Sequence, residues 1–152
     1  MTDSASNPPI REVLPHAPPM VLLDAIESWD GDRCVCLAEI RPGNPFLRDG
    51  AAPAVVALEI LAQTAATWIG LQAWAKGAPV ERGFVVGVPE LRFEVEALRE
   101  GDRLRAEVER LFDDASGLAR FRGTLLRSES VVARGTFTVY RSDRLSQGEG
   151  KA

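Results

Sequence analysis

Four segments in the second half of the chain have the hydrophobic pattern of β-strands. They span residues 84–93, 103–112, 118–127 and 131–140. In the last three, apolar and polar side chains alternate, which is typical of a strand with one buried and one solvated face. The links between them are short and include EGD, DDASG and SES. The pattern therefore predicts neighbouring antiparallel strands.

The first half begins with a predicted β-hairpin. Residues 20–29, MVLLDAIESW, form an apolar run between Pro18-Pro19 and the turn signal Asp-Gly-Asp at 30–32. Residues 33–40 alternate well enough to be the partner strand.

A long helix is predicted next. Apolar residues recur at spacings of three and four, at positions 55, 58, 61, 62, 65, 68 and 69. The pattern predicts a helix from Pro53 to about Trp74, since Pro53 suits the first turn and Gly77 the exit. Because the helix is apolar nearly all the way round, it should be buried on most sides.

Two strands, one long helix and four strands predict an α+β domain in which an antiparallel sheet wraps around one central helix. This is the hotdog architecture, which usually pairs two sheets into a dimer. The domain is predicted over residues 8–141. Residues 1–7 and 142–152 are polar and small, so we predict that they are flexible tails.

Composition excludes several classes of function. The formal net charge of -4 argues against a nucleic-acid partner. No window approaches the roughly 18 apolar residues of a membrane span, and the N-terminal sequence has no apolar core of the signal-peptide type, so we expect a cytoplasmic protein. Two cysteines and one histidine cannot supply four ligands to a structural zinc ion within one subunit, so no metal site is predicted.

One acid, Glu59, interrupts the apolar helix. A carboxylate with apolar neighbours on both sides is costly to bury, so it either faces solvent or is kept there for chemistry. An ion pair with an arginine such as Arg48 or Arg92 is the structural alternative.

Three motifs in the same order resemble those of the β-hydroxyacyl-acyl-carrier-protein dehydratases of the hotdog superfamily. They are LPHAPPMVLLDAIESW at 14–29, LEILAQ at 58–63 with Pro53 six residues before the acid, and FVVGVPELRF followed by GDRL at 84–104. Most members of that family also carry a His-Phe-Pro-Gly stretch, but this chain has Asn44-Pro45-Phe46 at that place. The sequence is more similar to a divergent dehydratase-like branch associated with aryl-polyene biosynthesis.

The resemblance implies elimination of water from a 3-hydroxyacyl thioester to give a trans-2-enoyl thioester. This reaction needs a base for the α-proton, an acid for the departing hydroxyl and a donor to the thioester carbonyl. The resemblance assigns Glu59 as the acid or as the group that holds the leaving water. His16 is the only histidine in the chain and hence the candidate base. Alternatively, His16 only fixes its proline-rich loop.

Four further residues are candidates for substrate binding: Asn44, Phe46, Gln63 and Gly87. Gln63 lies one helical turn after Glu59 and either orients the carboxyl group or a bound hydroxyl, or caps a strand edge. Asn44 either holds a thioester oxygen or makes a turn. Gly87 permits close approach by a ligand or by the helix.

The expected partners are an acyl carrier protein that brings the thioester and a second hotdog subunit, identical or different. No cofactor is expected, since the phosphopantetheine arm belongs to the substrate carrier.

Two other functions fit the same residues. In a hotdog thioesterase, Glu59 would activate water against the thioester carbonyl. In a non-catalytic partner subunit, the chain would shape the acyl pocket of a dehydratase that carries the missing His-Phe-Pro-Gly loop.

Overall fold

The computed structural model describes residues 7–141, and every structural statement below refers to them. In chain order the elements are α1 (Ile10–Val13), β1 (Ala25–Trp29), β2 (Arg33–Glu39), β3 (Ala51–Pro53), α2 (Val56–Ala75), β4 (Gly83–Phe93), β5 (Ala97–Arg99), β6 (Arg103–Asp113), β7 (Leu118–Arg127) and β8 (Ser130–Arg141).

The main sheet has six strands in the order β1-β2-β6-β7-β8-β4. Each neighbouring pair is antiparallel. The sheet wraps around α2, so the predicted hotdog fold is confirmed. The predicted hairpin and the four later strands are confirmed as well. Strands β3 and β5 form a second, two-stranded sheet.

The helix α2 is the centre of the core. Of its 20 residues, 14 are buried, which agrees with the apolar character predicted for all its faces. Trp68 packs edge-on against Phe121, with ring centroids 5.7 Å apart. The hydroxyl groups of Thr64 and Thr67 donate to carbonyl oxygens one turn earlier, so these two buried polar side chains are satisfied.

The start of the helix differs from the prediction. Helix α2 begins at Val56 instead of Pro53, which ends β3 and lies opposite Ala97 of β5. A proline lacks an N–H group and is tolerated on a strand of such a small sheet. The predicted exit is confirmed, because Gly77 has a positive φ of 68° and its N–H donates to the carbonyl of Trp74.

The first strand is shorter than predicted. Residues 20–24 lie outside β1, which starts at Ala25. The carbonyl of Met20 and the N–H of Leu22 are hydrogen-bonded to the side chain of Gln63. A side-chain amide therefore satisfies backbone groups that a neighbouring strand would otherwise pair with.

Within residues 7–141, no helix is long and apolar enough to span a membrane. The predicted tails at 1–6 and 142–152 lie outside the described residues. Asn7, assigned to the first tail, hydrogen-bonds to the domain: its side chain accepts from Trp29 Nε1 at 2.9 Å and donates to the carbonyl of Ile26.

The short helix α1, which the sequence pattern did not predict, packs against α2 at Gly70. A Cβ atom on Gly70 would lie 1.9 Å from the carbonyl oxygen of Val13. Gly70→Ala should therefore push α1 away and destabilise the domain by about 1–3 kcal/mol. Chemical denaturation measures this difference.

Gly43→Ala is the matched control, because a Cβ atom on Gly43 would meet no atom within 4 Å. Equal stability of both variants would show that α1 does not dock on α2 through Gly70.

Candidate active site

Glu59 lies in the first turn of α2. Its side chain is 35% exposed, so Glu59 is half-buried, between the two placements considered for it. Among the described residues, no arginine lies within ion-pair distance of Glu59. Arg48, one of the expected partners, donates to the carbonyl oxygens of Pro45 and Leu47 instead.

Gln63 holds the Glu59 carboxylate in place. Its Nε2 donates to Glu59 Oε1 at 2.9 Å and to the carbonyl of Met20 at 2.6 Å. Its Oε1 accepts from the N–H of Leu22 at 2.9 Å. Gln63 thus orients the carboxyl group, and the backbone groups that it caps, at Met20 and Leu22, lie before β1 and not on a strand edge. Gln63 is 0% exposed and both its N–H donors are engaged, so it is placed to position Glu59 more than to contact a substrate.

His16 reaches the same carboxylate from the proline-rich loop. Its Nε2 lies 3.7 Å from Glu59 Oε1, and its side chain is 29% exposed. This separation is longer than a hydrogen bond and within the distance of an ion pair when the imidazole is protonated. The Nδ1 atom is buried without a hydrogen-bond partner among the described residues. The two residues expected to carry the chemistry thus meet within one chain.

Two cavities meet at Glu59. The first, which we call the His16 cavity, has a volume of about 220 Å³ and is lined by His16, Glu59, Ala62, Ala66, Gly83, Phe84, Val85 and Val139. The second, the Phe46 cavity, has a volume of about 320 Å³ and is lined by Phe46, Pro53, Val55, Val56, Leu58, Glu59, Ala62 and Val85. Phe46, a predicted substrate-binding residue, therefore shares a cavity wall with Glu59.

The other two predicted binding residues lie elsewhere. Asn44 Oδ1 accepts from the N–H of Phe46 at 2.8 Å, which is the turn considered for it, and Asn44 lines a different cavity beside Arg41. Gly87 lies on β4 between two register shifts, and a Cβ atom there would meet no atom within 4 Å. The helix therefore does not approach Gly87 closely, and neither residue lines the two cavities at Glu59.

Sequence reasoning missed the small residues beside the acid. Ala62 and Ala66 line the His16 cavity together with Gly83. The sequence contained a sign of this groove beside Glu59, because positions 59, 62 and 66 share one face of a helix and the last two are alanine. In a helix with alanine on several faces, the sequence alone did not mark this one as a groove.

The cysteines are not part of this site. Cys34 and Cys36 lie on β2, both 0% exposed, with sulfur atoms 3.9 Å apart. The interaction with Cys36 and burial raise the pKa of the Cys34 thiol, so it is a poor nucleophile. Among residues 7–141, no three His, Cys, Asp or Glu side chains are grouped so that they could hold a metal ion.

Removal of the Gln63 side-chain amide should destabilise the domain. In Gln63→Leu the peptide groups of Met20 and Leu22 would lose their partners, at about 1–3 kcal/mol for each group left buried and unpaired. Urea denaturation measures the loss. Gln72→Leu is the control, since Gln72 makes one long bond at its exposed position. Equal losses in the two variants would contradict the importance of the buried amide.

Comparison with known proteins places this geometry in a family. Residues 8–148 match the model of the ApeP-like family, described as ApeP dehydratase. Over 106 residues, the chain is 32% identical to the 3-hydroxyacyl-[acyl-carrier-protein] dehydratase FabZ of Staphylococcus saprophyticus, which covers 66% of this chain and 70% of that protein. FabZ of Oceanobacillus iheyensis is 31% identical, covering 66% and 73%.

Among solved structures, the dehydratase heterocomplex ApeI:P from Xenorhabdus doucetiae is similar in fold. Its TM-score is 0.87 at 24% identity, covering 94% of this chain and 97% of that one. The family resemblance predicted from the three motifs is confirmed. The chain belongs to the ApeP-like dehydratase family.

Proposed function

We propose that this chain eliminates water from a 3-hydroxyacyl thioester carried on an acyl carrier protein, giving a trans-2-enoyl thioester. The observation that carries the proposal is the juxtaposition of His16 Nε2 and Glu59 Oε1, 3.7 Å apart in the wall of one cavity. Membership of the ApeP-like dehydratase family and the identity to FabZ proteins support it.

The two side chains divide the proton transfers. His16 Nε2 takes the α-proton, the electron pair forms the C2–C3 double bond, and the C3–O bond breaks as protonated Glu59 gives its proton to the departing hydroxyl. After the product leaves, the imidazolium returns its proton to the Glu59 carboxylate through solvent, which reaches both side chains because they are 29% and 35% exposed. The pair then regains its starting protonation, and one water has been released.

Gln63 has the role of a positioning residue in this proposal. Its Nε2 donates to Glu59 Oε1, which restricts rotation of the carboxyl group about its side chain. The second carboxyl oxygen then remains available to protonate the leaving hydroxyl. A fixed orientation of the acid reduces the entropy lost in reaching the transition state.

No cofactor is needed for these steps, since the phosphopantetheine arm would arrive with the carrier protein. The two cavities at Glu59 offer an acyl group space on either side of the acid. Phe46 would contact the substrate in the second cavity, whereas the positions of Asn44 and Gly87 give no support to direct binding.

The proposed assembly is a pair of hotdog subunits. Strand β4 is an edge strand of the main sheet and exposes large apolar side chains: Phe84, Val85, Val86, Val88 and Phe93. An exposed apolar edge is a liability unless another chain covers it. Val85 and Phe84 also line cavities at Glu59, so the second subunit would complete the substrate pocket. Similarity to a dehydratase heterocomplex supports a different hotdog chain as the second subunit, and an identical chain is the alternative.

Glu59→Gln and His16→Ala should each lower the dehydration rate by about a hundredfold or more, because each removes one of the two proton carriers. Mass spectrometry of 3-hydroxyacyl and 2-enoyl carrier thioesters follows the loss or gain of water in both directions. Glu129→Gln, at an exposed turn, is the control and should keep the wild-type rate.

The same assay separates the alternatives. Free thiol released only when Glu59 is present would establish a thioesterase. Loss of activity with Glu59→Gln but not with His16→Ala would refute His16 as the base. Activity that requires a second hotdog subunit and survives Glu59→Gln would make this chain a non-catalytic partner.

A charge on the β4 edge should disrupt pairing. We expect the purified chain to sediment as a dimer, and Val86→Lys to weaken association by about tenfold or more, since pairing would bury an unpartnered ammonium group. Val86 is 59% exposed in the single chain. Leu37→Lys on β2, an exposed apolar position on another strand, is the control. A wild-type chain that stays monomeric would leave only pairing with a different subunit.

A further inference from the structure

A row of residues on one face of α2 leads away from Glu59. Ala62 and Ala66 line the His16 cavity, and Ile69 and Ala73 follow at helical spacing on the same face. Opposite this row lie Gly83 and Val85 of β4 and Val139 of β8. All three line the His16 cavity. The helix and the two strands thus enclose a seam that begins at the acid.

The seam is closed at Ile69. A Cβ atom on Gly83 would lie 3.6 Å from Ile69 Cδ1 and 2.7 Å from Val139 Cγ1, so these side chains already fill the space above Gly83. Ile69 is 4% exposed and Val139 is 3% exposed. Both therefore belong to the packed core and form a firm wall.

A third cavity, which we call the charged cavity, lies on the far side of this wall. It has a volume of about 360 Å³, and its lining includes Ile69, Ala73, Lys76, Arg110 and Arg141. Nε of Arg110 and Nε of Arg141 are buried without hydrogen-bond partners among the described residues. An apolar chain that entered this cavity would displace water from charged groups and offer them no hydrogen bond, which is unfavourable.

We propose that Ile69 limits the length of the acyl chain that this protein accepts. This inference rests on the proposed function, because it takes the His16 cavity as the acyl site. Glu59 and Ile69 are ten residues apart on the helix, or about 15 Å. An acyl chain that follows the seam ends at the Ile69 side chain. A longer chain meets the wall between the His16 cavity and the charged cavity.

Two substitutions change the seam in opposite directions. Ile69→Ala frees the volume of the isoleucine side chain beside Gly83, short of the charged cavity, and should raise kcat/KM for the next longer 3-hydroxyacyl chains relative to short ones by about tenfold or more. Ala66→Leu fills the seam closer to Glu59 and should lower the same ratio by about tenfold or more. General loss of stability cannot move the ratio in both directions.

The experiment measures kcat/KM over a series of 3-hydroxyacyl carrier thioesters of increasing chain length, with the assembly that is active. Leu71→Ala is the matched control, because Leu71 is 0% exposed and lines neither cavity. It should lose stability and keep the wild-type length preference. If Ile69→Ala does not fold, Ile69→Val should move the preference in the same direction by a smaller amount.

Binding of saturated acyl-pantetheines, measured by calorimetry, separates this inference from the proposed function. If binding shifts with chain length as expected but no variant and no wild-type assembly releases water, the wall is supported and the dehydratase proposal fails. If wild type dehydrates its substrates while Ile69→Ala and Ala66→Leu keep its length preference in turnover and binding, the wall is refuted.

Discussion

The buried side chain of Gln63 connects the parts of this molecule that have to meet. Its amide group hydrogen-bonds to the backbone of Met20 and Leu22, which lie just after the proline-rich loop, and to the carboxylate of Glu59. The loop carries His16, four residues before Met20, so Gln63 connects the segment that follows His16 to the helical turn that carries Glu59. A neutral amide is suited to this place because it offers two donors and an acceptor without the desolvation cost of a charge.

The position of Glu59 follows from where the sheet ends. The sheet covers most of α2, and the face that holds Glu59, Ala62 and Ala66 is bordered by the edge strand β4, by β8 and by the loop that carries His16. Glu59 thus remains one-third exposed on an otherwise buried helix. Cavities at this border are shallow in one chain and have the exposed apolar residues of β4 as part of their walls. The same edge can therefore supply both the subunit contact and one side of the substrate pocket.

The sequence predicted the bounds of most strands of the main sheet closely, with β2 and β4 each within one residue. Strands β6, β7 and β8 alternate clearly, and the structure keeps their predicted bounds within a residue or two. Prediction was less accurate where a distant side chain replaces local pairing, as at residues 20–24, or where a short strand precedes a helix, as at Pro53. Neither arrangement leaves a periodic pattern, because each depends on a partner far along the chain.

The sequence by itself determined that the chain forms an α+β domain around one apolar helix, because hydrophobic periodicity is a local property. It also singled out Glu59, as the one acid of that helix, and His16, as the one histidine of the chain. Only the tertiary structure decided that these two side chains meet, that Gln63 hydrogen-bonds to Glu59, and that Asn44 and Gly87 lie elsewhere. The distance between two residues that are remote in sequence depends on how the sheet curves and on which backbone groups find partners. The local hydrophobic pattern contains no information about either.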